Sequence, residues 1–140
     1  MFMLTLLPAL VTALTVFLLL FTAFKVGQAR GKHSVKAPAI SGHPDFERAW
    51  RVQMNTLEAS VMFLPSLWLA GHFGNPGIAG ILGLLWLLAR IWYAAAYLRD
   101  AARRHMPFTI GLLLTVMLAA WGLIAVLHDM WLLAAVPHVG

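Results

Sequence analysis

The chain has 140 residues, of which 61% are hydrophobic and 11% charged, with a mean hydropathy of +0.83 and a net charge of +5. That balance excludes an ordinary soluble domain and indicates an integral membrane protein. Cysteine is absent, so a disulfide framework, a thiolate metal site and a cysteine nucleophile are excluded, and any sulfur chemistry must use a thiol brought by a substrate.

Four apolar segments follow in chain order, each near the roughly 20 residues that cross a hydrocarbon core of about 30 Å. The first runs about Phe2 to Phe24. It has no basic leader and its apolar run is longer than a signal peptide's, so it is read as a retained helix. The connection from Lys25 to Pro44 carries Lys25, Arg30, Lys32 and Lys36. At about 20 residues it is too long for a plain linker and is a candidate lid. The second segment runs about Phe46 to Gly71 and ends in the turn GHFGNPG, which has no Lys or Arg. The third runs about Ile78 to Arg104 and ends in Arg99, Arg103 and Arg104; the fourth runs about Pro107 to Leu127. The tail HDMWLLAAVPHVG reads as an interfacial extension with Trp131 at headgroup level. Two basic connections on one side and a charge-free turn on the other place the basic side in the cytoplasm and both termini outside. The expectation is an all-α, integral membrane four-helix bundle in which residues 1–140 form one domain.

The second segment carries an unusual load of polar residues: Glu47, Arg48, Arg51, Gln53, Asn55 and Glu58. Counting about 20 residues back from Gly71 reaches Arg51, so Asn55 and Glu58 fall within the bilayer. An ionised group there costs on the order of 3 kcal/mol or more unless it faces the bundle, a partner or water. At about 100° per residue, Glu47, Arg48, Arg51, Asn55 and Glu58 share one face of the helix, and Gln53 points almost the other way. On the third segment Arg90, Tyr93, Tyr97, Asp100 and Arg104 share a face within about 80°. Antiparallel pairing at equal depth then sets Glu58 opposite Arg90, Asn55 opposite Tyr93 and Arg51 opposite Tyr97. Arg48 and Arg90 are read as members of a structural polar network, with a Glu58–Arg90 ion pair at its centre. Arg30, Arg51 and Arg104 lack a matching number of carboxylates, so an anionic ligand is expected at the cytoplasmic mouth.

Taken together, ERAWRVQMNTLE, ARIWYAAAY and the basic RDAARR end of the third segment resemble the MAPEG family over about Arg30 to Pro107. These are membrane-associated proteins of eicosanoid and glutathione metabolism, including microsomal glutathione transferases and leukotriene C4 synthase. The resemblance implies a homotrimer with glutathione bound between subunits near the cytoplasmic side, here in a bacterial-type member of an inner membrane. It also implies that Arg51, Asn55, Glu58, Tyr93 and Tyr97 bind glutathione from one subunit, Arg30 and Gln53 bind it from the next, and Arg104 sits at the thiol. The opposed direction of Gln53 on the helical wheel agrees with a shared site. Glutathione carries two carboxylates and one ammonium, which call for arginines and one carboxylate, and Glu58 is the candidate for the ammonium. Ala59 stands where eicosanoid-type members tend to have a tyrosine, and Gly31 where leukotriene C4 synthase has a second arginine, which disfavours a leukotriene-forming role.

The function expected is that of a glutathione transferase that lowers the bound thiol's pKa through Arg104. The thiolate would attack an apolar electrophile arriving from the lipid, with peroxidase activity toward lipid hydroperoxides as a companion reaction. The alternatives are a non-catalytic protein that binds glutathione or lipid, and a small four-helix transporter, which the lack of an acidic residue in the first segment disfavours. The six histidines show no helical ligand spacing, so no metal site is expected. Nothing in the pattern suggests nucleic acid as a partner.

Overall fold

The computed structural model describes residues 2–135, which form five α-helices and no strand. A single turn, α1 (Phe2–Thr5), precedes four long helices: α2 (Leu7–Lys32), α3 (Pro44–Leu69), α4 (Pro76–Arg99) and α5 (His105–Ala135). Residues 136–140, which include His138 and the end of the expected interfacial tail, lie outside the described residues.

The first boundary differs from the sequence expectation. Helix α2 continues to Lys32 instead of stopping near Phe24, and the connecting loop shrinks to residues 33–43. The apolar run marks where lipid contact stops, whereas the helix persists because Val26 and Ala29 pack against Phe46, Ala49 and Val35. Ser34 then takes a left-handed conformation (φ 55°), Ser34 N–H bonds Gly31 C=O and Val35 N–H bonds Arg30 C=O. This is a Schellman motif, and the burial of Val35 beside Ala29 supplies its hydrophobic contact. Arg30 and Lys32 in the last turn complement the helix dipole.

Helix α3 starts at Pro44, not Phe46: His43 Nδ1 caps it by accepting from Asp45 N–H at 3.2 Å, and Asp45 and Glu47 sit in its first turn. It ends at Leu69 in a π-helical turn, Ala70–Gly74, after which Asn75 Oδ1 caps α4 by accepting from Ile78 N–H. Helix α4 stops at Arg99, five residues before Arg104. Asp100 is extended there and its carboxylate accepts from Ala102 N–H, starting a 3₁₀ turn, Ala101–Arg104, that leads directly into α5. Helix α5 carries Pro107 in its first turn and runs past Leu127 to Ala135, so Trp131 stands on a helix and not on an irregular extension.

Short connections make neighbouring helices antiparallel. One end of the molecule gathers the start of α2, the Ala70–Gly74 turn and the second half of α5. There a Cβ on Gly80 would lie 2.2 Å from Leu7 Cβ, and one on Gly122 would lie 2.8 Å from Leu69 Cβ, so glycine sets how closely α2 meets α4 and α5 meets α3. The other end gathers the 33–43 loop and the Asp100–Arg104 turn, together with all the Lys and Arg residues except Arg90. Between the ends, Val11, Leu18, Phe63, Leu67, Trp86, Leu114 and Leu118 form a core drawn from all four long helices, with Phe63 and Trp86 stacked at 3.7 Å.

Three helical segments are long and apolar enough to cross a membrane: Leu7–Lys32, Pro76–Arg99 and Ala101–Ala135. Half of the apolar window of α4 is buried against 17% of that in the last segment, which makes α4 the inner helix and leaves α5 facing outward. Helix α3 has the same 26 residues as α2 but carries the charged stripe on its first half, which keeps it outside that criterion. The outward rings and methyls of Leu14, Phe17, Phe21, Leu88, Trp92, Leu113 and Met117 suit a hydrocarbon surrounding, and the protein is a membrane protein.

Candidate functional site

At the basic end, α3, α4, the 3₁₀ turn and the start of α5 enclose an open cleft of about 680 Å³. It is lined by Arg51, Asn55, Glu58, Ala59 and Met62 from α3, Tyr93 and Tyr97 from α4, Arg104 from the turn, and His105 and Phe108 from α5. Six of the residues singled out by sequence thus meet in one place.

Each is held by identifiable neighbours. Asn55 Nδ2 donates to Tyr93 OH at 2.6 Å, the contact that equal-depth pairing of the two helices predicts. Tyr93 and Tyr97 are buried one turn apart on α4, their rings 5.6 Å apart, with Phe108 flanking Tyr93. Arg104 Nη1 donates to Tyr97 OH at 3.0 Å. The guanidinium reaches Tyr97 not by extension of α4, as expected, but because the helix breaks at Asp100 and the 3₁₀ turn folds Arg104 back over the ring. Both phenol oxygens therefore accept from within the protein and keep their O–H free to donate into the cleft. Among the described residues, Arg51 and Glu58 have no hydrogen-bond or ion-pair partner, and both side chains are exposed to the cleft. The lining thus offers two guanidinium groups and two phenol donors to anions, and one carboxylate to a cation.

The expected Glu58–Arg90 ion pair is not formed. Arg90 is 2% exposed, donates from Nη2 to Thr56 Oγ1 at 3.1 Å and lies 4.1 Å from the Tyr93 ring centre, while its Nε has no partner among the described residues. Depth along a helix does not fix azimuth: Thr56 lies about 160° around α3 from Glu58, on the face that packs against α4. Arg90 points into that packed face, and Glu58 points into the cleft. Arg48 likewise pairs locally, with Asp45 one turn earlier, instead of joining a network with Arg90.

Arg30 and Gln53 lie outside this cleft. Arg30 Nη1 donates to Val35 C=O at 3.2 Å and Ala39 C=O at 3.0 Å, with the guanidinium over the Phe46 ring, so it secures the 33–43 loop. His105 lines the cleft although it lacks a helical spacing from the stripe; its position directly after Arg104 is the signal that could have placed it there. Ala59, Met62 and Phe108 also border a second, much smaller pocket of about 60 Å³, lined further by Trp86, Arg90, Gly111, Leu112 and Thr115. Away from the cleft, at the 33–43 loop, the side chains of His33, His43 and Asp45 converge, a grouping that no helical spacing of the histidines announces.

Comparison with known proteins identifies the family. Residues 8–124 match the MAPEG family. The chain is 47% identical over 123 residues to an uncharacterized protein of Synechocystis sp., covering 88% of this chain and 90% of that one. It is 41% identical over 120 residues to leukotriene C4 synthase of Bos taurus (84% and 80% covered), and 36% identical over 109 residues to microsomal glutathione S-transferase 2 of the same species (78% and 75% covered). With a basic-end cleft drawn from α3, α4 and α5 and a family match that spans most of its length, the chain belongs to the MAPEG family.

Proposed function

We propose that the protein is a membrane-bound glutathione transferase that holds glutathione in the basic-end cleft and activates its thiol through Arg104. The observation that carries this reading is the pairing of Arg104 with Tyr97 in a cleft that also holds Arg51 and Glu58. Arg51 and the phenol donors suit the carboxylates of the tripeptide, and Glu58 suits its ammonium. Arg30 and Gln53 complete the site from a neighbouring copy in a homotrimer. In this reading all four long helices cross an inner membrane, the termini lie outside, and the cleft opens toward the cytoplasm.

A free thiol with a pKa of about 8.5 is only a few per cent thiolate at neutral pH, yet the thiolate is the nucleophile. A guanidinium fixed beside the sulfur favours the anion, and a surrounding of low dielectric strengthens that preference. Tyr97 OH holds the guanidinium in place and so acts as a positioning residue. Ala59, Met62 and Phe108 give the cleft an apolar side that suits an apolar electrophile entering from lipid. With a hydroperoxide, the same thiolate would attack the O–O bond to release an alcohol and form a sulfenic acid, which a second glutathione converts to disulfide and water.

The test is an assay of detergent-solubilised protein with glutathione and a chromogenic aryl halide, together with difference absorbance for the bound thiolate. A thiolate signal with turnover is expected. Saturable binding without turnover on aryl halides or lipid hydroperoxides would favour a non-catalytic glutathione-binding protein, and no binding would remove both readings.

A further inference from the structure

The loop of residues 33–43 brings together three metal-ligating side chains that the glutathione cleft does not use. His33 is the C-cap of α2 and His43 the N-cap of α3, and their rings stack with centroids 3.5 Å apart. His33 Nε2 lies 3.6 Å from Asp45 Oδ2. One ligand atom from each of the three lies within 4.8 Å of the other two. Nine residues of irregular backbone separate the histidines, which is why no helical spacing announces them.

The surroundings hold the backbone that carries these groups. Arg30 holds the Val35 and Ala39 carbonyls, Val35 is buried against Phe46, and Glu47 Oε1 accepts from Gly42 N–H at 3.0 Å. Asp45 uses Oδ1 for Arg48, which leaves Oδ2 facing His33. His43 uses Nδ1 as the helix cap, which leaves Nε2 open.

We propose that His33, His43 and Asp45 bind a divalent transition-metal ion and thereby clip the end of α2 to the start of α3. Two imidazole nitrogens and one carboxylate oxygen, without thiolate, suit zinc, cobalt or nickel better than calcium or magnesium, and water completes the coordination. Lone pairs lie in the ring planes, so two nearly parallel rings must tilt apart to share an ion, and binding breaks the stack. Lys32 and Arg48 nearby oppose a dication, which sets the affinity below that of a structural zinc site.

The experiment titrates tag-free, full-length protein in detergent, stripped by chelator, with Zn²⁺ in a calorimeter. One equivalent per chain and a rise in unfolding temperature are expected. His33→Ala should weaken binding at least about ten-fold and remove the temperature rise, as should His43→Asn, which keeps a cap acceptor at the start of α3. His72→Ala and His128→Ala should leave both unchanged. The absence of a saturable equivalent, or its survival in the His33→Ala/His43→Asn double variant, overturns the site.

Discussion

At the end of the molecule that holds the α3–α4 turn, side chains close on glycine: Leu7 on Gly80, Leu69 on Gly122 and the Trp121 ring on Gly74. At the opposite end Arg51 and Glu58 face a cleft of about 680 Å³ with no partner among the described residues, and Arg104 is held by one hydroxyl. The helices are thus packed to contact at one end, while at the other α3, α4 and α5 leave a cleft between them. Close packing is where stability resides, since interiors tolerate neither voids nor excess volume. Unpaired charge lowers stability and persists where a ligand supplies the missing partner. The comparison separates residues whose loss should unfold the protein from residues whose loss should silence it.

The largest effect is expected at the open end. Arg104→Ala should lower turnover by about 10²-fold or more, the cost of losing one positioned donor to a developing anion, and should abolish the thiolate absorbance while leaving the unfolding temperature near that of the parent. Retention of both signal and rate would remove Arg104 from the mechanism and turn attention to Tyr97 or His105. At the packed end, Gly80→Val should destabilise by on the order of 3 kcal/mol, because the new side chain meets the Leu7 backbone as well as its Cβ. Thermal unfolding in detergent measures this, and an unchanged midpoint would show that α2 can move off α4. A pair of variants sharpens the boundary between the two ends: Thr56→Val removes the acceptor of Arg90 Nη2 and should cost about 1–3 kcal/mol of stability. Glu58→Gln should leave stability unaltered and weaken glutathione binding by about 1–2 kcal/mol, the share of a charge-assisted hydrogen bond. The reverse pattern would restore Glu58 as the strut of Arg90. The smallest effect belongs to Arg103→Ala, whose exposed partner Asp100 sits 3.7 Å away; a change within about 0.5 kcal/mol is expected in both assays.

Much of this division is legible in the sequence, because the charged residues of α3 and α4 fall on single faces and helical periodicity is rigid over a few turns. Asn55 against Tyr93 follows from counting depth alone. Glu58 against Arg90 does not, since depth leaves open which way a long side chain turns, and Arg90 turns toward Thr56. Hydropathy also misplaces helix ends. It stops α2 at the last lipid-facing ring, although Val26 and Ala29 carry the helix on through tertiary contacts, and it runs α4 through Asp100, where a side-chain cap starts a new turn. The approach of His33 to His43 depends on a loop conformation set by Ser34 and Arg30, and no periodic pattern records it.

Helix α5 has 31 residues where α3 has 26 and α4 has 24. At 1.5 Å per residue it is about 46 Å long, the full depth of a bilayer with both headgroup layers, whereas α3 and α4 measure about 39 and 36 Å. Its last turns, beyond the level at which Trp121 covers Gly74, present Leu123, Ile124, Leu127, Met130, Trp131 and Leu133 to the surroundings. His128 and Asp129, 3.5 Å apart, interrupt these turns, so the extra length of α5 is amphipathic and suits the headgroup layer more than the hydrocarbon core. A tryptophan on such turns anchors a helix at the membrane–water boundary, so Trp131 gives the bundle a mooring point that sets how deep this end sits.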